Sequence, residues 1–482
     1  MALSPQEKYF RSNKFKKILK NYEESVKSGT HPFLDADDYT DIGEYYCDVE
    51  GDFDKAKEVL EYAITIYPDD VAPLSLLAKI AMTVDNDADK AIRYVDMIDE
   101  QDDIEVIYLK AEILMSKGEF EKADDYCRGY LSEIPPEEYD DYVKEVAVSF
   151  NEFKEYNLAF QWIMRAKVDD SEDYAEILGL IMANVGEYDK SEEMYTLLTE
   201  KDPYNDFYWS QLAAIQLYNG KISKAIESCD YAIAIAPFDP HPVKVKANAL
   251  YKIKNYPEAT KYFAKFAKMV PEDYEGECGM AICLCEDNKP SEAFLHLEKA
   301  EKIAKTLPDG YKNKAFADIA FLYDSLGMPE KALSIIENVN IGRDADIGEF
   351  CIIKGHIYLS NHITDKATEC FKEAIRKANN KTFIALRVSL SMMDHELYKQ
   401  AYLLIKKAIS LSDSPQTHGY AHLALCCMNL NKPEECLESI KKAVEMNPDE
   451  AVELLGKFFP EDMAPKDYYL YMYNKLYNEN QA

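Results

Sequence analysis

A short helical signature returns along this chain at a nearly constant interval, and that periodicity constrains the fold more than any other feature. Small residues mark it: Ala56, Ala91, Ala123, Ala159, Ser191, Ala225, Ala259, Ala293, Ala332, Ala367, Ala401 and Cys436. Successive marks lie 35, 32, 36, 32, 34, 34, 34, 39, 35, 34 and 35 residues apart. Typical marks follow a charged pair, as in Asp54-Lys55, Glu121-Lys122 and Glu330-Lys331. An apolar residue stands four positions on and a small or apolar one seven on, as in Ala225, Cys229, Ala232 and Ala367, Phe371, Ala374. Spacings of three and four residues place such groups on one helical face. A period near 34 residues is the length of a helix–turn–helix unit, which cannot bury its apolar face alone and stacks on its neighbours.

The punctuation agrees with that reading. Gly51, Gly118, Gly186, Gly220 and Gly327 fall between the two helices of a unit, where a positive φ ends the first. Pro68, Pro135, Pro203, Pro237, Pro271 and Pro448 each follow a mark by 12 residues and stop the second helix. Ala78, Ala111, Ala147, Ala247, Ala281, Ala320 and Ala424 recur where the two helices must cross closely. No segment alternates apolar and polar residues for long enough to make a strand. The expected class is all-α.

Trp209, Leu212, Ala213, Tyr218, Gly220, Ala225, Cys229, Ala232 and Pro237 together make a unit that resembles the tetratricopeptide repeat family, and Leu178-Gly179 and Gly355 with Tyr358 add to the likeness. The resemblance covers about residues 37–448 and implies a right-handed superhelical solenoid of about twelve stacked antiparallel helix pairs. Solenoid ends must differ from the middle, or they would expose apolar surface. The expected organisation is therefore a basic capping helix and linker over 1–36 and an N-terminal block of repeats over 37–303, acidic to about residue 210. Five extra residues around Ala304–Gly310 set off a connector and hinge at 304–312. A C-terminal block of repeats over 313–448 and capping helices over 449–482 follow.

Charge then narrows the function. The chain holds 88 Asp+Glu and 55 Lys+Arg, a net charge of -33. Residues 1–30 contain 7 basic and 3 acidic residues, residues 31–210 contain 15 and 47, and residues 211–482 contain 33 and 38. Such a surplus repels nucleic acid and anionic membrane, so neither is expected as the partner. With 11 Cys in no framework spacing, no signal-peptide pattern at the start and no apolar run of ~18 residues, the expected setting is the cytoplasm.

No phosphate loop, nucleophile elbow or His-Glu-x-x-His occurs, and neither a cofactor nor a metal is expected. His418, His422 and Cys426 share a helical face, but packing explains Cys426 better than ligation does. Function is expected at the groove lined by the first helices. In the acidic block its positions include Asp41, Tyr45, Asp48, Tyr108, Glu112, Glu145 and Glu176, carboxylates interleaved with aromatics that suit a basic or Arg-containing segment. Farther on, His241, Lys244, Asn248, Tyr251 and Lys252 point the same way. Lys244 and Asn248 resemble the opening of the clamp by which some proteins of the family hold a chaperone's terminal carboxylate; Cys278, Gly279 and Asp318 depart from it. The leading expectation is a non-enzymatic scaffold binding proteins or peptides. Its alternatives are a ligand-responsive sensor hinged near 303–313 and a metal-dependent enzyme subunit built on the His418 trio.

Overall fold

The computed structural model describes residues 5–167, 171–339, 347–378, 380–410, 419–460 and 463–477. Every regular element among the described residues is helical, and the chain divides into two units, residues 1–221 and 222–482.

In the N-terminal unit five helix pairs follow one another: Ala36–Tyr45 with Phe53–Ile66, Val71–Thr83 with Ala88–Val95, Ile104–Ser116 with Phe120–Tyr130, Tyr139–Glu152 with Tyr156–Ile163, and Glu172–Asn184 with Tyr188–Lys201. The helix Asp206–Tyr218 packs on the last of them. Part of the acidic surplus builds these helices. Asp35, Asp70 and Asp103 each cap a first helix, accepting a hydrogen bond from an amide two or three residues on, as Ser171 and Asn205 do elsewhere. Each such cap contributes about 1 kcal/mol. Inside, Trp162 donates from Nε1 to Asp124 at 2.8 Å, and the Tyr142 hydroxyl donates to the Cys127 carbonyl at 2.9 Å.

In the C-terminal unit the helix Ile222–Ile235 is followed by six pairs: Pro240–Lys252 with Tyr256–Met269, Glu275–Glu286 with Pro290–Thr306, Asp309–Ser325 with Pro329–Ile336, Ile347–Ser360 with Thr364–Lys377, Lys381–Asp394 with Tyr398–Ser410, and Tyr420–Asn429 with Pro433–Met446. Helices Pro448–Leu455 and Tyr468–Tyr477 close it, with Phe459 stacked on Tyr468 at 3.8 Å.

The repeat marks are the packing points of both units: none of the twelve is more than 2% exposed. Close helix approach explains the glycines opposite them. A Cβ built on Gly179 would lie 2.9 Å from the Tyr195 ring, and one on Gly355 would meet the Phe371 ring. The Gly turns have φ between 66° and 85°, as the sequence requires. Where a unit lacks that Gly, Asn86, Lys154, Lys254, Asn288, His362, Glu396 and Asn431 adopt the same left-handed conformation, a strain of roughly 1 kcal/mol that the surrounding packing absorbs.

Two details differ from the linear reading. The single capping helix expected within 1–36 is two helices, Pro5–Phe10 and Asn13–Lys27, because Ser12 accepts a hydrogen bond from the Phe15 amide at 3.2 Å and starts the second. Around 304–312 the extra residues extend helices: Pro290–Thr306 and Asp309–Ser325 are each 17 residues long, with Leu307 and Pro308 between them.

Candidate partner-binding surfaces

The first groove residues of the acidic block are already engaged. The Tyr9 hydroxyl donates to Asp41 Oδ2 at 2.5 Å, and the Tyr45 ring meets Phe10 and Phe15 at centroid distances of 5.7 and 5.3 Å. The capping helices therefore cover Asp41 and Tyr45, while Asp48 stays exposed on the π-turn Tyr46–Glu50.

Farther along, the fold gathers what the sequence placed on one face. Tyr108 stacks on Tyr142 at 5.5 Å, the two first helices Ile104–Ser116 and Tyr139–Glu152 bringing them side by side. Burial raises the Tyr108 hydroxyl pKa, and the fields of Glu145 and Asp141 add to it. Burial also raises the Glu112 carboxyl; Lys79 opposes this and the repulsion of Glu152 and Glu145 reinforces it. Tyr108, Glu112 and Glu145 thus form one locale of excess negative charge over an aromatic floor. Glu176 lies apart from them and accepts a hydrogen bond from the Tyr208 hydroxyl.

Lys79 offsets part of this charge, while other lysines of the unit are held by carboxylates elsewhere. Lys57 and Lys90 both pair with Asp85, Lys110 with Asp96, Lys117 with Asp89, and Lys144 with Asp141 and Asp173. Exposed pairs of this kind contribute little to stability.

One concavity was missed by a reading restricted to first helices. It opens between the Asp99–Asp102 turn and the second helix Phe120–Tyr130, holds about 600 Å³ and is lined by Asp99, Asp102, Asp125, Glu133, Tyr126 and Tyr130. The four-residue spacing of Tyr126 and Tyr130 was its signal in the sequence.

In the C-terminal unit, helix Pro240–Lys252 leaves His241 and Lys252 exposed, sets Asn248 half-buried, and packs Tyr251 on Tyr256 at 5.7 Å. Lys244 is paired with Glu275 and lies 5.4 Å over the Phe266 ring. Lys314, two pairs on, approaches the same Glu275 at 4.0 Å. The chain's own carboxylate therefore stands between the two lysines of the clamp-like pattern. Asp318 is half-buried, which raises its carboxyl, and it accepts a hydrogen bond from the Tyr274 hydroxyl at 2.7 Å.

A polar cluster that no motif signalled spans three successive first helices. His356 Nε2 lies 3.4 Å from Asp324 Oδ2, Ser360 Oγ donates to the same oxygen at 2.7 Å, and His356 Nδ1 meets Ser391 Oγ at 3.0 Å. The His395 ring is 4.7 Å from that of His356, and burial, then the neighbouring imidazole, holds its pKa below the ordinary histidine value. Asp324, His356 and His395 come from three successive helix pairs, so their meeting is a product of stacking alone. Of the trio considered for metal, His418 lies outside the described residues, His422 is buried 3.5 Å from Glu450, and Cys426 is fully buried. Among the described residues no group of three His, Cys, Asp or Glu is arranged to hold a metal.

Helix pairs stacked through small residues define an α-helical repeat architecture, which in general serves as a protein-interaction scaffold. Models of the tetratricopeptide repeat match residues 50–113 and 417–450, so the chain carries tetratricopeptide repeats. A 134-residue stretch is 30% identical to the protein FlbA of Caulobacter vibrioides, covering 28% of this chain and 22% of that one. The matched stretch thus spans about a fifth of that relative. Similar solved chains include one in the crystal structure of the APC/C hetero-tetramer Cut9–Hcn1, at 14% identity and a TM-score of 0.35 over 95% of this chain and 97% of that one. Another is a MamA structure, at 17% identity and 0.31 over 35% and 98%. No helix among the described residues is long and apolar enough to cross a membrane.

Proposed function

We propose that the chain is a non-enzymatic adaptor that holds a basic peptide or helix of a partner protein against the first-helix face of its N-terminal unit. The observation that supports this reading best is the locale of Tyr108, Glu112 and Glu145. It combines a stacked tyrosine pair with the Glu112 carboxyl, whose pKa burial lifts and the repulsion of Glu152 and Glu145 lifts further. A guanidinium or ammonium entering there relieves that repulsion and gains a cation–π contact of about 0.5–2 kcal/mol. Nucleic acid and membrane surfaces have no part in the proposal, and the cytoplasm is its setting. Binding of a fluorescent Arg- and Lys-rich peptide to the full chain tests it. Affinity should fall steeply as salt rises and should drop in the double variant Glu112→Gln/Glu145→Gln. Binding that ignores both changes would refute it.

A further inference from the structure

The cap helix Asn13–Lys27 has two faces, and the fold of its own chain uses only one. Phe15 and Tyr22 are buried among Tyr39, Tyr46 and the rest of the first pair's core. The face opposite them carries Lys16, Lys17, Lys20 and Lys27, all exposed, with Arg11 exposed in the turn before the helix. Among the described residues only Lys20 of these five has a carboxylate partner, Glu24 one turn along the same helix at 3.6 Å.

That idleness stands out in its surroundings. In the same unit Lys55, Lys57, Lys90, Lys110, Lys117 and Lys144 all sit in ion pairs. Carboxylates are not scarce either, since residues 31–210 hold 47 acidic and 15 basic residues. Anchoring explains it: the buried aromatic face pins the helix, so its outer lysines cannot swing back to the acidic block. Only another molecule can meet them. A membrane suits them poorly, because an amphipathic helix binds one by inserting its apolar face, and here that face lies in the protein core. A carboxylate-rich protein surface fits, and this chain carries one itself.

We propose that the outer cationic face of Asn13–Lys27 docks onto the acidic N-terminal block of a second copy of this chain. The two contacting surfaces differ, so the interface is heterologous, and a pair of copies keeps one free cap and one free acidic block. Such contacts propagate beyond a dimer unless they close into a ring. The net charge of -33 opposes approach of two copies as whole bodies. At about 0.15 M salt, however, charges more than ~8 Å apart are largely screened, and the touching surfaces decide. The cap lysines take no part in the peptide binding proposed near Tyr108, so changing them tests this inference separately from that reading.

Sedimentation velocity on the full chain tests it. At about 0.15 M salt the average mass should rise past two copies with protein concentration, and at about 0.5 M, where screening is stronger, it should return to one. The variant Lys16→Glu/Lys17→Glu/Lys20→Glu/Lys27→Glu should keep its helical circular dichroism and stay monomeric. Neutral replacement of the same four by Gln should weaken association less. Mixed with wild type, the charge-reversed chain still offers its acidic block, so it should stop growth and leave two-copy species. Three results would each overturn the proposal: a wild type monomeric at every concentration, a reversed variant that associates as wild type does, or a wild type that binds phosphatidylserine vesicles while remaining monomeric. Peptide binding that survives in the reversed variant separates this outcome from that of the adaptor reading.

Discussion

Ala123 in the N-terminal unit and Ala367 in the C-terminal unit occupy the same place, each fully buried where a second helix meets its neighbours. Around them the polar chemistry diverges. In the N-terminal unit lysines are spent on surface carboxylates and the remaining acid faces outward. In the C-terminal unit polar side chains of successive first helices turn toward one another, as Lys244 and Lys314 do at Glu275 and as Asp324, His356 and His395 do in their cluster. Packing of small residues sets the architecture, which leaves each unit free to use its surface differently.

The largest effect should come from attacking what the units share. Ala123→Asp and Ala367→Asp each bury an unpaired charge at a helix crossing, and Ala225→Asp does the same; each should cost roughly 3 kcal/mol or more. Hydrogen exchange should show protection lost first in the pairs around the substitution, because each repeat is held mainly by its neighbours. Equal loss in both units from either substitution would mean that the chain unfolds as one body and the comparison has no thermodynamic content.

A smaller effect sharpens the same point. Gly355→Ala places a methyl against the Phe371 ring, and Gly179→Ala places one 2.9 Å from Tyr195. Overpacking costs about 1–3 kcal/mol, while replacing a helical Gly by Ala returns about 1 kcal/mol. The nearer clash at Gly355 should leave a net loss in urea titrations, and Gly179→Ala should be close to neutral.

Binding should separate the units at about the same energy. Glu112→Gln/Glu145→Gln should weaken a basic peptide about tenfold, or ~1.4 kcal/mol. Lys244→Ala, whose cation is held by Glu275, should change it less than about twofold (~0.4 kcal/mol). The reverse ranking would move the binding surface to the C-terminal unit.

Those particulars show what the linear pattern reveals. The marks, the Gly turns and the close approach at Gly179 and Gly355 are local, period-bound features, and they read directly from residue spacing. Tyr108, Glu112 and Glu145 are also legible, since each sits on a first helix at a known phase. Three things escape. The cover over Asp41 and Tyr45 depends on where a non-repeating cap lands. The Glu275 carboxylate between Lys244 and Lys314 comes from the intervening unit, and side-chain reach rather than periodicity brings the three together. The Asp324, His356 and His395 cluster needs the stagger between three stacked units, which no single unit encodes.

The smallest effect is a pH response of opposite sign in the two units. Glu112 has its carboxyl raised above 4.5 by burial and by Glu152 and Glu145. Its ionised form is the strained one, so the N-terminal unit gains stability as pH falls and Glu112 takes up a proton. His395 has its pKa lowered below 6.5 by burial and by His356, against the pull of Asp324 and Asp394, with His362 adding to the lowering. Its neutral form is the one the fold accepts; that stability is full above about 6.5 and is lost as pH falls toward the depressed value. Asp85, Asp89 and Asp189, whose partners lower them below 3.8, titrate beneath this window and do not blur it. Between pH 6.5 and 5, hydrogen exchange in Lys381–Asp394 should therefore speed up relative to Ile104–Ser116. His395→Asn should remove the first change and Glu112→Gln the second. A common drift of both helices, untouched by either substitution, would show that their electrostatic difference does not reach stability.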